Sequence, residues 1–255
     1  MSGSVMVIVM TIGWLVSVRL KNAGIVDFIW SFSFTIIALL FAAIEDGAPA
    51  RKALLLLIVL PWTVRLGVYL LKRFLQEFPI EDKRYAAWRE EWQSKADQNM
   101  FWVFQFQGLL IVILSVPFFI ACADPSPLRI SDTLGLTMCW IGLIGESIAD
   151  SQLSSFKADK ANSDKVCSQG LWNFSRHPNY FFEWIIWVGL FVFVSSCPFG
   201  IYAIYCPIVM LLMLTRFSGV QLTEEHALRT RGEEYKKYQQ TTSAFVPWFK
   251  LTPKT

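Results

Sequence analysis

Between Arg176 and Glu183 the chain places a guanidinium, an imidazole, an amide, a phenol and a carboxylate, as Arg176, His177, Asn179, Tyr180 and Glu183, at the mouth of an apolar run that carries Trp184 and Trp187. Such groups bind anions, hold hydrogen-bonding ligands and move protons. Arg, His and Tyr also anchor helices at the headgroup level of a bilayer, but anchoring explains Asn179 and Glu183 poorly. Pro178 has no N–H to lose and a φ preset for a first turn, which predicts a helix starting at His177 or Pro178. Asn179, Glu183 and Trp187 then fall at i, i+4 and i+8 on one face. A helix N-terminus with Arg176 and His177 beside it is a natural seat for an anion.

Other segments hold further candidates. Asp27 lies about one turn inside a second apolar segment, and an intramembrane carboxylate is costly enough to be paired or functional. A third segment carries Arg65 near its middle, which needs a carboxylate or phosphate partner, and Tyr69 one turn further on. Glu146 and Asp150 sit four apart near the end of a fifth segment, with Ser154 on the same line, and Lys157 follows. Arg216 precedes a polar tail containing Glu224, Glu225, Tyr235 and Tyr238.

The elements that must position these groups are membrane helices. The 255 residues are 54% hydrophobic and only 17% charged, far from an ordinary soluble domain. Runs long enough to cross about 30 Å of hydrocarbon are expected near 4–19, 24–44, 53–73, 102–122, 133–154, 180–196 and 199–216, giving an all-α bundle of seven transmembrane helices in a single domain. An interfacial helix is expected over 81–98 and a cytoplasmic amphipathic tail over 217–255, with Tyr85, Trp88 and Trp92 at helical spacing on the former and a kink at Pro117 in the fourth segment. Only Arg51, Lys52 and Arg129 fall on the side opposite the tail, so the positive-inside rule places the C-terminus in the cytoplasm and the N-terminus outside or in a lumen. The membrane is a bacterial inner membrane or the endoplasmic reticulum. A basic face toward anionic headgroups explains the +3 charge without a nucleic-acid partner. The five cysteines have no C-x-x-C spacing and only two histidines accompany them, which points to free apolar fillers and no metal site. Met1 is followed by no basic n-region, so the first segment is expected to remain as a helix.

On this topology Asp27, Glu146, Asp150, His177, Asn179 and Glu183 share the cytoplasmic third of the membrane, and Arg65 reaches the same level. Polar groups of one depth on several helices imply a cavity open to the cytoplasm and flanked by lipid. No Walker A loop, Rossmann fingerprint or nucleophile elbow is present, so the soluble nucleotide folds offer no precedent.

Trp30 with Asn22 and Asp27, the run from Ala149 to Lys157, the stretch from Gly170 to Glu183 and the Tyr235 and Tyr238 pair together resemble the uncharacterised bacterial and eukaryotic relatives of steroid 5-alpha-reductase, over nearly the whole chain. The core from Arg176 to Tyr180 is also similar to sequences in sterol C14 reductases and isoprenylcysteine carboxyl methyltransferases. The resemblance implies seven helices, NADPH in a cytoplasm-facing cavity, and reduction of a carbon–carbon double bond conjugated to a carbonyl in a lipidic substrate. Asp150 and Asn179 match cofactor-contacting residues of the steroid enzymes and Glu183 matches a glutamate of their sixth helix. Glu146 stands where they have an Asn, and Lys157 where they have an Arg. The Gln-Glu pair that meets the steroid carbonyl aligns with Val26 and Asp27, and its Tyr partner aligns near Trp62. The carboxyl is kept while the Gln and the Tyr are not, which weighs against a steroid itself more than against the reaction type and leaves a steroid-like or other lipid substrate.

Asp27 and Tyr69 are therefore the candidate catalytic residues, with a protonated Asp27 polarising the enone as enolate charge builds; ion-paired with Arg65, Asp27 would instead be structural. The candidate cofactor set is Arg65, Glu146, Asp150 and Lys157, then Arg176, His177, Asn179, Tyr180 and Glu183, then Arg216, Tyr235 and Tyr238. Two other classes remain open. Glu224, Glu225 and the segment Gly232 to Tyr235 resemble the tail of the isoprenylcysteine enzymes, which use S-adenosylmethionine, and a non-catalytic lipid-binding membrane protein is the third.

Overall fold

Helices account for all the regular structure of the described residues, 1–217 and 219–250, in the computed structural model, apart from an isolated bridge between Ser175 and Ser243. The chain divides into two units, Met1–Leu128 and Arg129–Thr255.

The first unit holds α1 (Ser2–Leu20), α2 (Ile25–Ile44), α3 (Pro49–Glu77), α4 (Lys83–Trp92), α5 (Ala96–Leu114) and α6 (Val116–Ala123). Proline marks two of the boundaries. Pro49 occupies the first turn of α3, where its missing N–H costs nothing. Pro117 cannot donate to Ile113 and its ring crowds that carbonyl, so the expected fourth segment breaks at Ser115 and restarts as α6. In the core Phe34 packs against Trp62 and Phe118 with ring centroids 5.9 and 6.1 Å apart. Arg51, read from sequence as a loop charge, is wholly buried: it lies 3.3 Å from Asp124 and donates to the carbonyls of Asp124, Ser126 and Pro127, which closes the loop after α6.

The second unit holds α7 (Ile130–Ala158), α8 (Pro178–Val194), α9 (Tyr205–Leu212) and α10 (Val220–Thr241). A π turn, Met213–Phe217, follows α9. α7 and α8 pack at very short range because glycines replace side chains at the crossing. A Cβ on Gly142 would lie 2.8 Å from the Phe182 carbonyl oxygen, so only glycine lets the backbones meet there. α10 is polar and bends at Gly232, whose φ of 49° and ψ of −121° fall where glycine alone sits without strain.

Five helical stretches among the described residues are long and apolar enough to cross a membrane: Ser2–Leu20, Ile25–Ile44, Pro49–Glu77, the run Lys83–Ala123 and the run Gly200–Thr241, whose apolar part precedes α10. Seven were expected. α8 is apolar but has 17 residues, and α7 has the length but carries Asp132, Glu146, Asp150 and Lys157.

Candidate functional site

In the second unit the predicted start of α8 is observed, with His177 as cap and Pro178 as first residue. Asn179, in that first turn, donates from Nδ2 to Oδ1 of Asp150 on α7 at 3.2 Å. Its own Oδ1 is buried and has no hydrogen-bond partner among the described residues. A buried amide oxygen left so costs about 1–3 kcal/mol, which makes it a seat for a ligand donor. One turn on, Glu183 is buried and accepts from Nε1 of Trp187 at 3.0 Å, so the face expected at i+4 and i+8 is joined by a hydrogen bond. Glu146 is buried on α7, one turn before Asp150, and Lys157 stands exposed on the last turn of the same helix.

Arg176 and His177 do something else. Arg176 donates from Nε to Oε1 of Glu224 at 2.6 Å and from Nη1 to the carbonyls of Gln239 and Thr242 at 3.0 and 2.6 Å. His177, 2% exposed, puts Nε2 3.2 Å from the same Glu224 oxygen and stacks on Tyr180 with the rings 3° from parallel. A carboxylate only accepts, so Glu224 requires the proton on Nε2. Gln239 donates to the other oxygen of Glu224 at 2.8 Å. Burial by itself would raise the Glu224 carboxyl, but hydrogen bonds from His177 and Arg176 outweigh it and bring the pKa down to about 2. Tyr235 lies beside this group, and burial together with the charge of Glu224 pushes its phenol up. Tyr238 donates to the carbonyls of Trp172 and Ser175, the latter at 3.2 Å. Arg176, His177, Tyr235 and Tyr238 thus clasp α10 to the turn before α8, and the donors expected to seat an anion are spent on the protein itself. Arg216 lies exposed on the π turn.

In the first unit Asp27 occupies the opening turn of α2, as the sequence indicates, and its carboxylate neither is left free for a substrate, as the proton-donor reading needs, nor pairs with Arg65, the alternative. Tyr85, 3% exposed, donates to Oδ1 at 2.7 Å, Arg84 donates to Oδ2 at 2.9 Å, and Arg73 Nη2 lies 3.6 Å from Oδ2. Arg84 and Arg73 also pair with Asp82, at 3.0 and 3.2 Å. Burial would raise the Asp82 carboxyl, and its hydrogen bonds to Arg84 hold it below its ordinary value. A second chain links Glu81, Arg89 and Asp97, and Glu81 also accepts from the Ala23 N–H at 2.6 Å. Oδ1 of Asp27 accepts from a phenol and Oδ2 from a guanidinium, whereas a proton donor needs an oxygen that carries a proton toward substrate. Arg65 lies half-buried within α3, and Tyr69 is 43% exposed one turn along it.

Glu224, named from sequence only for the methyltransferase alternative, and the group Arg73, Arg84 and Tyr85 lie outside the catalytic and cofactor sets expected from sequence. An acid partner for the adjacent Arg176 and His177 was a signal for the first, since each needs an acceptor. The charged stretch that opens α4 held Arg84 and Tyr85, read there as an interfacial helix alone, and Arg73 ends the third apolar segment read from sequence.

Neither curated proteins nor solved structures matched the chain. The family model described as protein of unknown function (DUF1295) matches residues 13–242, which takes in α2 through α10, the Asp27 knot, the Asp150–Asn179 pair and the Glu224 clasp, and the chain belongs to that family.

Proposed function

We propose that the chain crosses its membrane seven times with the C-terminus cytoplasmic and is an NADPH-dependent reductase of a carbon–carbon double bond conjugated to a carbonyl in a lipidic substrate. The observation that carries this reading is the Asp150–Asn179 pair with its partnerless Asn179 oxygen. Two acceptors side by side suit a ligand rich in N–H and O–H donors, which the ribose hydroxyls and carboxamide of a dinucleotide are. These are also the two positions that the steroid 5-alpha-reductase resemblance assigns to the cofactor. Lys157, about 10 Å along α7 from Asp150 at 1.5 Å per residue, and Arg216 would meet its phosphates, since Arg176 is engaged. Bound NADPH supplies the hydride. The chain's own contribution in this reading is to hold donors of the cofactor on Asp150 and Asn179 and to keep water out of the α7–α8 seam. Asp27 enters as an ion-paired anchor for α4, in place of the proton donor expected from sequence.

One observation favours the second reading, a methyltransferase using S-adenosylmethionine: Glu146, Asp150 and Glu183 put three carboxylates on α7 and α8, which suits a cationic cofactor. Thermal shifts of the purified protein with NADPH, NADH and S-adenosylmethionine separate the cases, since a ligand at a hundredfold its Kd stabilises by about 2.7 kcal/mol. A shift with NADPH that Asn179→Ala and Asp150→Ala each remove is the expected result. A shift with S-adenosylmethionine alone overturns the reductase, and no shift with any of them leaves the non-catalytic lipid-binding class.

A further inference from the structure

We propose that the cleft where α2, α3 and the start of α4 meet binds the headgroup of a membrane phospholipid bearing both a phosphate and a primary ammonium, of the phosphatidylethanolamine type. The proposal does not rest on the reductase reading, which is carried by the second unit.

The cleft holds about 290 Å³ of space, its open mouth included, and its walls include Asp27, Arg73, Phe74, Glu77, Ile80 and Asp82. Most polar groups there are already engaged. Asn22 donates to the Ile80 carbonyl and accepts from the Gly24 N–H, and Asp27 and Asp82 are taken by Arg84 and Arg73. Two are not. Arg73, its side chain 39% exposed, uses only Nη2 for Asp27 and Asp82, leaving Nε and Nη1 with no hydrogen bond or ion pair among the described residues. Glu77, exposed, pairs with nothing among them. Arg73 and Glu77 are four apart on α3, a spacing at which they would ordinarily pair. Here the two acids across the cleft hold Nη2 of Arg73, so unused guanidinium donors and a carboxylate stand on one rim at neighbouring positions.

Depth says what meets them. α3 has 29 residues and spans about 43 Å at 1.5 Å per residue, against about 30 Å of hydrocarbon. Its last turns, Lys72 to Glu77, therefore stand at headgroup level. Next to them Leu75, Phe78 and Ile80 are 63, 44 and 75% exposed, apolar surface suited to glycerol and upper acyl chain. Phosphate oxygens accept from the free donors of Arg73, and the ammonium donates to Glu77. A choline headgroup has no N–H to give Glu77, and phosphatidylglycerol has no cation.

The test measures the melting of the purified full chain in detergent with added dioleoyl phosphatidylethanolamine, phosphatidylcholine or phosphatidylglycerol, and with soluble phosphoethanolamine. The ethanolamine lipid is expected to bind about two- to fivefold more tightly than the other two, as befits an exposed ion pair, and phosphoethanolamine to bind far more weakly. Glu77→Gln should erase the preference over phosphatidylcholine while the binding common to both lipids survives, and Arg73→Gln should weaken all three. Because the Glu77 side chain is exposed and has no hydrogen bond or ion pair among the described residues, its variant decides the matter even where Arg73→Gln melts early. Equal binding of the three lipids, a preference for phosphatidylglycerol, or a preference that survives Glu77→Gln overturns the proposal; full binding of phosphoethanolamine would make the ligand a soluble metabolite and overturn the lipid.

Discussion

Nε of Arg176 donates to Oε1 of Glu224 at 2.6 Å, joining the residue before the α8 cap to the early part of α10 across 48 positions of chain. Around this contact the Arg176 N–H donates to the Ser243 carbonyl at 2.8 Å and Ser175 Oγ to the Phe245 carbonyl at 2.8 Å. The segment most dense in chemical groups is thereby fixed by the tail.

Removing that acceptor should loosen the unit. In Glu224→Ala, Arg176 keeps two carbonyls but loses its carboxylate, and the His177 ring loses the acceptor on Nε2. Loss of a charge-assisted hydrogen bond in a partly buried setting costs about 1.5–3 kcal/mol. The chemical denaturation midpoint in detergent should fall accordingly, and protease cleavage within α10 should quicken. A variant with the wild-type midpoint would show that the clasp contributes nothing.

The same residue gives a pH dependence with a defined sign. The Glu224 carboxyl is held at about 2, below its ordinary 4.5. A depressed carboxyl stabilises the fold fully above 4.5, and that contribution fades as pH falls from 4.5 toward 2. The melting difference between wild type and Glu224→Gln should be constant above pH 5 and shrink below 4.5. A difference that grows on acidification would reverse the assignment.

Much of this was legible in the chain. Pro178 announced the start of α8, Pro117 the break after α5, and i+4 spacing the link from Glu183 to Trp187. These are local rules, set by a missing N–H or a helical repeat. Pairings across 47 to 70 positions, such as His177 with Glu224 or Ser175 with Phe245, leave no periodic trace. Asp27 shows the difference most clearly: the need for a partner was readable from the cost of an intramembrane charge, yet the hydrogen-bonding partners Arg84 and Tyr85 lay on a polar helix 57 and 58 residues away, and the cation on α3 was Arg73, two turns beyond Arg65.

Gly142→Ala tests whether the α7–α8 seam holds Asn179 against Asp150. The added methyl would meet the Phe182 backbone oxygen at 2.8 Å and the Ile186 nitrogen at 3.0 Å, atoms that cannot turn aside as a side chain can. Overpacking of this kind costs about 1–3 kcal/mol. The variant should melt early and should also lose the NADPH-induced shift proposed for the wild type. Unchanged melting would mean that the helices can separate without cost.

The last expectation concerns Asp27 and Tyr85. If the carboxylate serves as an ion-paired anchor for α4, Asp27→Asn removes the charge that Arg84 and Arg73 share while Asp82 still holds both. The partial exposure of those arginines and this surviving partner limit the cost to about 1–2 kcal/mol. Tyr85→Phe deletes one buried donor and should cost about 0.5–1.5 kcal/mol. Because both changes act on one hydrogen bond, the double variant should lose less than the sum of the two. Denaturant melts of the four proteins give the coupling directly. Strict additivity would show that the carboxylate charge adds nothing to the 2.7 Å contact, and an Asp27→Asn protein as stable as wild type would count against the anchor role.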